Sequence, residues 1–198
     1  MAFWTQAGGV GALDPKRQYR FIVDFANLGS DCQWLVKNVG KPSVTLTEAS
    51  HQYLNHTFYY PGRVSWNTVS VTLVDPVSPD ATATMMNAIN QSGYVVPSAS
   101  DVLDTVSKSK SIAALGQVTI TQFAGDGDVN NPVEEWILRN CWIKSVTLSG
   151  LDYSGDSLSE VTLELRYDYA TLKRHGPTAA GGSNFLDQDA GIWDLSSS

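Results

Sequence analysis

Cysteine is scarce in this chain: two in 198 residues, Cys32 and Cys141, far apart and in no Cys-x-x-Cys pair. That usage favours two small buried thiols of a reduced, intracellular protein over a disulfide framework. Histidine is almost as thin, with only His51, His56 and His175. His51 and His56 lie five apart, a spacing that sends them to opposite faces of one strand and fails to align them on a helix, so joint metal ligation is not expected. No run of eighteen apolar residues occurs, so no membrane-spanning helix or anchor is expected. The opening residues, MAFWTQAGGVG, lack the basic-then-apolar order of a secretory signal.

Charge is also sparse. Asp, Glu, Lys and Arg make up 17% of the chain, against roughly 25% in ordinary soluble proteins, so part of the surface is expected to be covered by other protein. The formal net charge is −7, and no Lys/Arg cluster interrupts it. Proteins that grip nucleic acid neutralise phosphates with clustered cations. This chain is not expected to grip DNA, which leaves open a surface past which DNA merely slides.

Catalytic signatures are missing as well. There is no Gly-x-Ser-x-Gly elbow and no Gly-x-x-x-x-Gly-Lys phosphate loop, and the GGVG near the start has no flanking strand and helix. Asp126-Gly-Asp128-Val-Asn130-Asn131 begins like a calcium loop. That loop needs glycine at its sixth position and glutamate at its twelfth, where Asn131 and Ile137 stand, so the stretch reads as a turn between strands. Glu134 and Glu135 adjoin a strand start and are expected to face water. No enzyme activity, cofactor or metal is expected.

What is present is strand. Tyr19, Phe21, Val23 and Phe25 alternate; Cys32 to Val36 and Val44 to Leu46 follow. Val69-Ser-Val-Thr-Leu73 reads as a half-buried strand, and GQVTITQF as another. Residues 136–148, WILRNCWIKSVTL, and the return LSEVTLELRYDY read as one long antiparallel hairpin, with Val161, Leu163, Leu165, Tyr167 and Tyr169 on one face. Trp34, Trp66, Trp136 and Trp142 all fall in such patterns, as core or interface. Ser78-Pro79-Asp80 opens a helix, capped by the serine, with Ala81, Met85 and Ile89 as its apolar stripe and Gly93 as its stop. A weaker helix is expected over 99–106. Two arms flank this domain: 1–15, with Phe3 and Trp4, and 173–198, with Phe185, Ile192 and Trp193, set in Gly/Ser/Ala-rich sequence that either folds back or docks on a neighbouring copy.

One stretch does not fit a lone sandwich. In FYYPGRVSW, Phe58, Tyr59 and Tyr60 are consecutive, so on a pleated strand they point to both faces, and a single core covers only one. The preceding EASHQYLN, residues 48–55, is expected to be an extended loop or a pair of strands projecting beyond the sheet.

From Lys16 to about Leu172 the chain resembles the tail tube proteins of contractile-tailed bacteriophages. The likeness is carried by KRQYRFIVDFANLG with Cys32-Gln-Trp-Leu-Val-Lys37 and Lys41-Pro42, by HTFYYPGRVSWNTVSVTLVD leading into a helix, and by NCWIKSV, GLDYSGDS and EVTLELRYDY. It implies a mainly β fold, an antiparallel β-sandwich or half-barrel with one flanking α-helix over 16–172. Six copies would complete a continuous inner β-barrel as a hexameric ring. Stacked rings would form the inner tail tube of the virion, assembled in the host cytoplasm. The implied partners are further copies, the tail sheath protein, the tape-measure protein, baseplate and tail terminator proteins, and genomic DNA passing through the lumen without specific binding. On this resemblance the oligomer interface falls to Glu48, His51, Tyr53, Leu54, Phe58, Tyr59 and Tyr60, with Phe3, Trp4 and Trp193 from the arms. Three other readings stay open: a baseplate tube-initiator, the inner tube of a contractile injection or type VI secretion device, and a monomeric β-sandwich binding module.

Overall fold

The computed structural model describes residues 16–29, 31–96, 105–123 and 132–174. Ten strands and three helices follow in the order β1 (Phe21–Phe25), α1 (Asp31–Leu35), β2 (Val36–Val39), β3 (Val44–Tyr53), β4 (His56–Trp66), β5 (Val69–Val74), α2 (Ala81–Gln91), α3 (Lys108–Leu115), β6 (Val118–Phe123), β7 (Pro132–Arg139), β8 (Trp142–Leu148), β9 (Glu160–Arg166) and β10 (Tyr169–Arg174). The fold is mainly β, an open arrangement of antiparallel sheets, not a closed barrel. One sheet has the order β1-β6-β7-β10, a second β2-β5-β9-β8, and β3-β4 form a two-stranded ribbon by themselves. The chain divides into a smaller unit from the described parts of 1–21, 121–135 and 172–198, and a larger one from 22–120 and 136–171. In the smaller unit the Gln122 side-chain amide donates to the Arg17 carbonyl at 3.0 Å and Lys16 pairs with Glu134.

The core of the larger unit is the apolar face of the second sheet. Val69, Val71 and Leu73 on β5 register against Leu165, Leu163 and Val161 on β9, and all six are buried. Their neighbours Ser70, Thr72, Thr162 and Glu164 turn outward, the period-two signature of a sheet with one dry face. From the first sheet, Val23, Phe25, Val118, Ile120, Ile137 and Ala170 are buried too.

Helix α2 starts where expected, with a different capping group. Asp80, not Ser78, accepts the Ala83 amide at 2.7 Å, while Asp75 takes the amides of Ala81 and Thr82 and the Thr82 hydroxyl. Two carboxylates thus satisfy the free donors at the positive end of the helix. Ala81, Met85 and Ala88 form the buried stripe, with Ile89 half-covered. The helix stops at Gly93, whose φ of +102° and close approach to the Thr105 carbonyl both exclude a β-carbon.

Several expectations give way. Cys32 to Leu35 is a short helix, not strand, and leaves Trp34 85% exposed. Of the helix expected over 99–106, residues 99–104 lie outside the described residues and Val106 is exposed loop. A second helix forms instead at α3, where Ser107 caps the Lys110 amide and Ser111, Ala114 and Leu115 are buried, so among the described residues two helices of at least two turns, not one, accompany the sheets. These α2 and α3 segments pack on each other and along β8.

The long hairpin at 136–169 is broken on both sides. β7 and β8 lie in different sheets, and the chain turns between them at Asn140, in the left-handed region at φ 54°. β9 and β10 part at Asp168. The two bends are tied together: the Asp168 amide donates to the Arg139 carbonyl, and its carboxylate accepts from Asn140 and from Lys108 at 2.7 and 2.8 Å. Lys108, with Asn140, holds the Asp168 carboxyl below its ordinary range. Chains that switch sheets in this way make the corners of a sandwich. The bend shifts the alternation by one, so Ala170 is buried and Tyr169, placed with Tyr167 by simple periodicity, is exposed.

Candidate assembly interface

The β3-β4 ribbon continues a ladder that begins in the body of the fold. β2 pairs with β5 from Val36↔Leu73 to Val39↔Val71, Gly40 donates to the Ser70 carbonyl at 2.9 Å, Asn67 to the Ser43 carbonyl at 2.9 Å, and β3-β4 pairing runs from Val44↔Trp66 to Tyr53↔His56. Its base is fixed by the Arg166 guanidinium, which donates to the Trp66 carbonyl at 3.0 Å, and by the Trp66 ring tilted against Tyr167 at 5.8 Å. The Asn67 side-chain amide reaches both the Ser43 and Thr45 hydroxyls at 3.0 Å. Beyond this base the ribbon projects for ten residues, about 30 Å at the strand rise.

Residues 48–53 are therefore strand, closed by a two-residue turn of Leu54 and Asn55. Leu54 holds φ 52°, a conformation that costs a side chain roughly 1–2 kcal/mol, and it stands 88% exposed. A bulge sits midway: between Leu46↔Val64 and Glu48↔Pro61, Gly62 and Arg63 face the single Thr47, whose hydroxyl accepts the Arg63 amide at 2.8 Å. A β-carbon on Gly62 would lie 2.4 Å from that hydroxyl oxygen, so the bulge requires glycine.

The register assigns every side chain a face. Val44, Leu46, Val64, Trp66 and, past the bulge, Glu48 and Tyr59 share one; Ala49, His51, Tyr53, His56, Phe58 and Tyr60 share the other. An edge-to-face contact of His56 with Phe58, 4.7 Å between centroids, confirms the second grouping. No residue of either strand is buried, and Tyr59 and Tyr60 are 66% and 55% exposed on opposite faces. Among the described residues each strand also has one neighbour only, so alternate amides and carbonyls along both outer edges have no ladder partner there. Nothing in the described chain covers the second face of FYY, or the first.

Seven of the residues singled out by sequence, Glu48, His51, Tyr53, Leu54, Phe58, Tyr59 and Tyr60, are thereby brought together on one projecting element. Phe3, Trp4 and Trp193 lie outside the described residues, as do Asp126 to Asn131 and His175. The histidine argument needs correction: the turn at 54–55 folds the chain back, so His51 and His56 occupy the same face on opposite strands as diagonal neighbours. No group of three metal-ligating side chains forms among the described residues. Sequence reasoning missed Val44, Leu46 and Val64, which extend the apolar faces to the base; the alternation Val44-Thr-Leu46 was the signal. It also missed Leu151, Tyr153 and Leu158, exposed on the β8-β9 connection.

Elsewhere the polar groups serve the fold. Glu164 is held below the ordinary carboxylate range by the Thr68 hydroxyl and by Lys144, and burial pushes the Cys141 thiol up to about 12, which keeps it neutral. Both cysteines are free and buried. A groove of about 530 Å³ beside the corner is lined by Trp66, Trp142, Lys108, Arg166 and Asp168. Its Lys108 and Asp168 are already committed to each other.

This open antiparallel arrangement is a fold shared with chains of solved contractile assemblies. The chain is similar to the tube-terminating cap of the anti-feeding prophage (TM-score 0.60, 18% identity, 88% of this chain and 99% of that one). It is also similar to chains in two extended-state assemblies of an extracellular contractile injection system, PVC: its sheath/tube terminator (0.59, 17%, 82% and 99%) and its sheath-tube complex (0.55, 18%, 81% and 92%). No family model matches the chain, and neither does any curated protein.

Proposed function

We propose that this chain is a structural subunit of the inner tube of a contractile tail, and that its β3-β4 ribbon is completed only by other copies of itself. The observation that carries this reading is the ribbon: two open edges and exposed aromatic side chains on both faces, with no cover from the described residues. An isolated two-stranded hairpin is marginally stable in water, and an exposed apolar edge is an aggregation hazard unless paired. Closing copies into a ring, six on the resemblance drawn above, removes the edges, and stacking rings covers the tips. The sheath would surround this tube, a tape-measure protein would fill it during assembly, and baseplate and terminator proteins would close its ends. The net charge of −7 per copy suits a lumen along which phosphates find few cations, so DNA passes without being held. The similarity to injection-system chains supports a second reading, a protein-delivering device with the same tube and another cargo.

Electron microscopy of the purified chain tests the proposal. Rings or tubes are expected from the native sequence, with tubes lost in Tyr53→Ser/Leu54→Ser while the monomer stays folded. A chain that remains monomeric at high concentration overturns it.

A further inference from the structure

The ribbon supplies one half of a contact between rings, and the fold identifies a second apolar projection on the same chain. β8 ends at Leu148 and β9 begins at Glu160, and between them the connection 149–159 presents Leu151, Tyr153 and Leu158, exposed by 95%, 112% and 68% of their reference areas. The connection is shaped by its own bonds. The Asp152 carboxylate accepts the amide and hydroxyl of Ser154 at 3.0 and 2.9 Å, Gly155 donates to the Asp152 carbonyl, and Ser149 and Glu160 close the base. Three large apolar side chains on an internally bonded turn with no cover mark an interaction surface.

Register fixes where this surface lies. Along the second sheet, one end is set by Val69, Leu165 and Trp142, and the other by Val74, Glu160 and Leu148. The β3-β4 ribbon leaves from the first end, through the Ser43–Asn67 bond and the Arg166–Trp66 bond. The 149–159 connection leaves from the second, where the Asp75 amide donates to the Ser159 carbonyl. The two unpartnered apolar projections thus stand at opposite ends of the same four strands.

We infer that the 149–159 connection is the socket for the ribbon tip of a copy in the next ring, with Leu151, Tyr153 and Leu158 covering Tyr53 and Leu54. The inference rests on the tube-subunit reading. Two unlike surfaces at opposite ends of one chain make a heterologous, head-to-tail contact, which repeats without closing and so builds a stack. A reciprocal two-fold pairing would also join tip to socket but would close at two copies, whereas stacked rings need the head-to-tail form. Residues 49–60 hold no Asp, Glu, Lys or Arg, so seating the tip in the socket buries none of these charged side chains from the ribbon.

Two experiments test it. In Leu151→Ser/Tyr153→Ser/Leu158→Ser, whose changes are all on the surface, six-fold rings are expected to form as in the native chain while stacked tubes fall about tenfold or more. Tubes at native yield overturn the socket and leave the tube-subunit reading standing; a native chain that forms neither rings nor tubes overturns both. Separately, Leu54→Cys protein is mixed with Tyr153→Cys protein and oxidised, the two native cysteines being buried. A crosslinked 54–153 species is expected, and its absence, or a 54–54 species alone, contradicts the inference.

Discussion

β4 and β5 are separated by two residues and share valine, serine and threonine, yet they end in opposite environments. On β5, Val69, Val71 and Leu73 are at most 1% exposed; on β4 no side chain is buried, and Phe58, Tyr59, Tyr60 and Val64 are all open. The local pattern makes both into strands. What differs is whether a third strand lies beside them: among the described residues β5 has β2 on one side and β9 on the other, and β4 has only β3. Stability of the lone chain therefore resides in the sheet, and the ribbon holds surface that the described residues leave open.

That division predicts opposite consequences for substitutions a few residues apart. Leu163→Ala empties a fully buried site and is expected to cost about 2–5 kcal/mol of monomer stability, read by denaturant unfolding. Tyr59→Ser/Tyr60→Ser is expected to change that same number by less than about 1 kcal/mol while abolishing rings and tubes, and a cost like that of Leu163→Ala would place the tyrosines in the core. Leu54→Gly sharpens the contrast. Relief of the left-handed turn is expected to stabilise the monomer by up to about 1 kcal/mol while weakening assembly, since the tip loses its side chain.

Acid provides a test confined to the body. The Thr82 hydroxyl and the amides at the start of α2 hold the Asp75 carboxyl below its ordinary value. A carboxylate depressed in the folded state adds stability that is present above the unfolded value, near about 3.9, and is lost as pH falls through the lower folded value. Asp75→Asn is expected to flatten the stability profile below about pH 4. The smallest effect is expected from Lys144→Gln, which removes a solvent-screened pair with Glu164 and should leave the denaturant midpoint nearly unchanged.

The same contrast explains what the sequence revealed. β5 and β9 were legible because one dry face forces strict alternation, and α2 because its start, stripe and stop carry distinct chemistry. The corner at Asn140 was not, because apolar residues run on through WILRNCWI and nothing in their order marks a change of sheet. Helix α3 was hidden in SKSKSIAAL, where only Ser111, Ala114 and Leu115 face inward. In the ribbon, two apolar faces cancel the period by which a face is recognised, so FYY announced a missing partner and not its geometry. His51 and His56 were misplaced for want of the turn that folds one strand onto the other.

Hydrogen exchange compared between the unassembled chain and its rings or tubes addresses the ribbon most directly. Protection on assembly is expected to be gained along 44–66, with 69–74 and 160–166 already protected in the free chain. Equal exchange of the 44–66 amides in both states would mean that the ribbon stays uncovered in the assembly, and the account would be wrong.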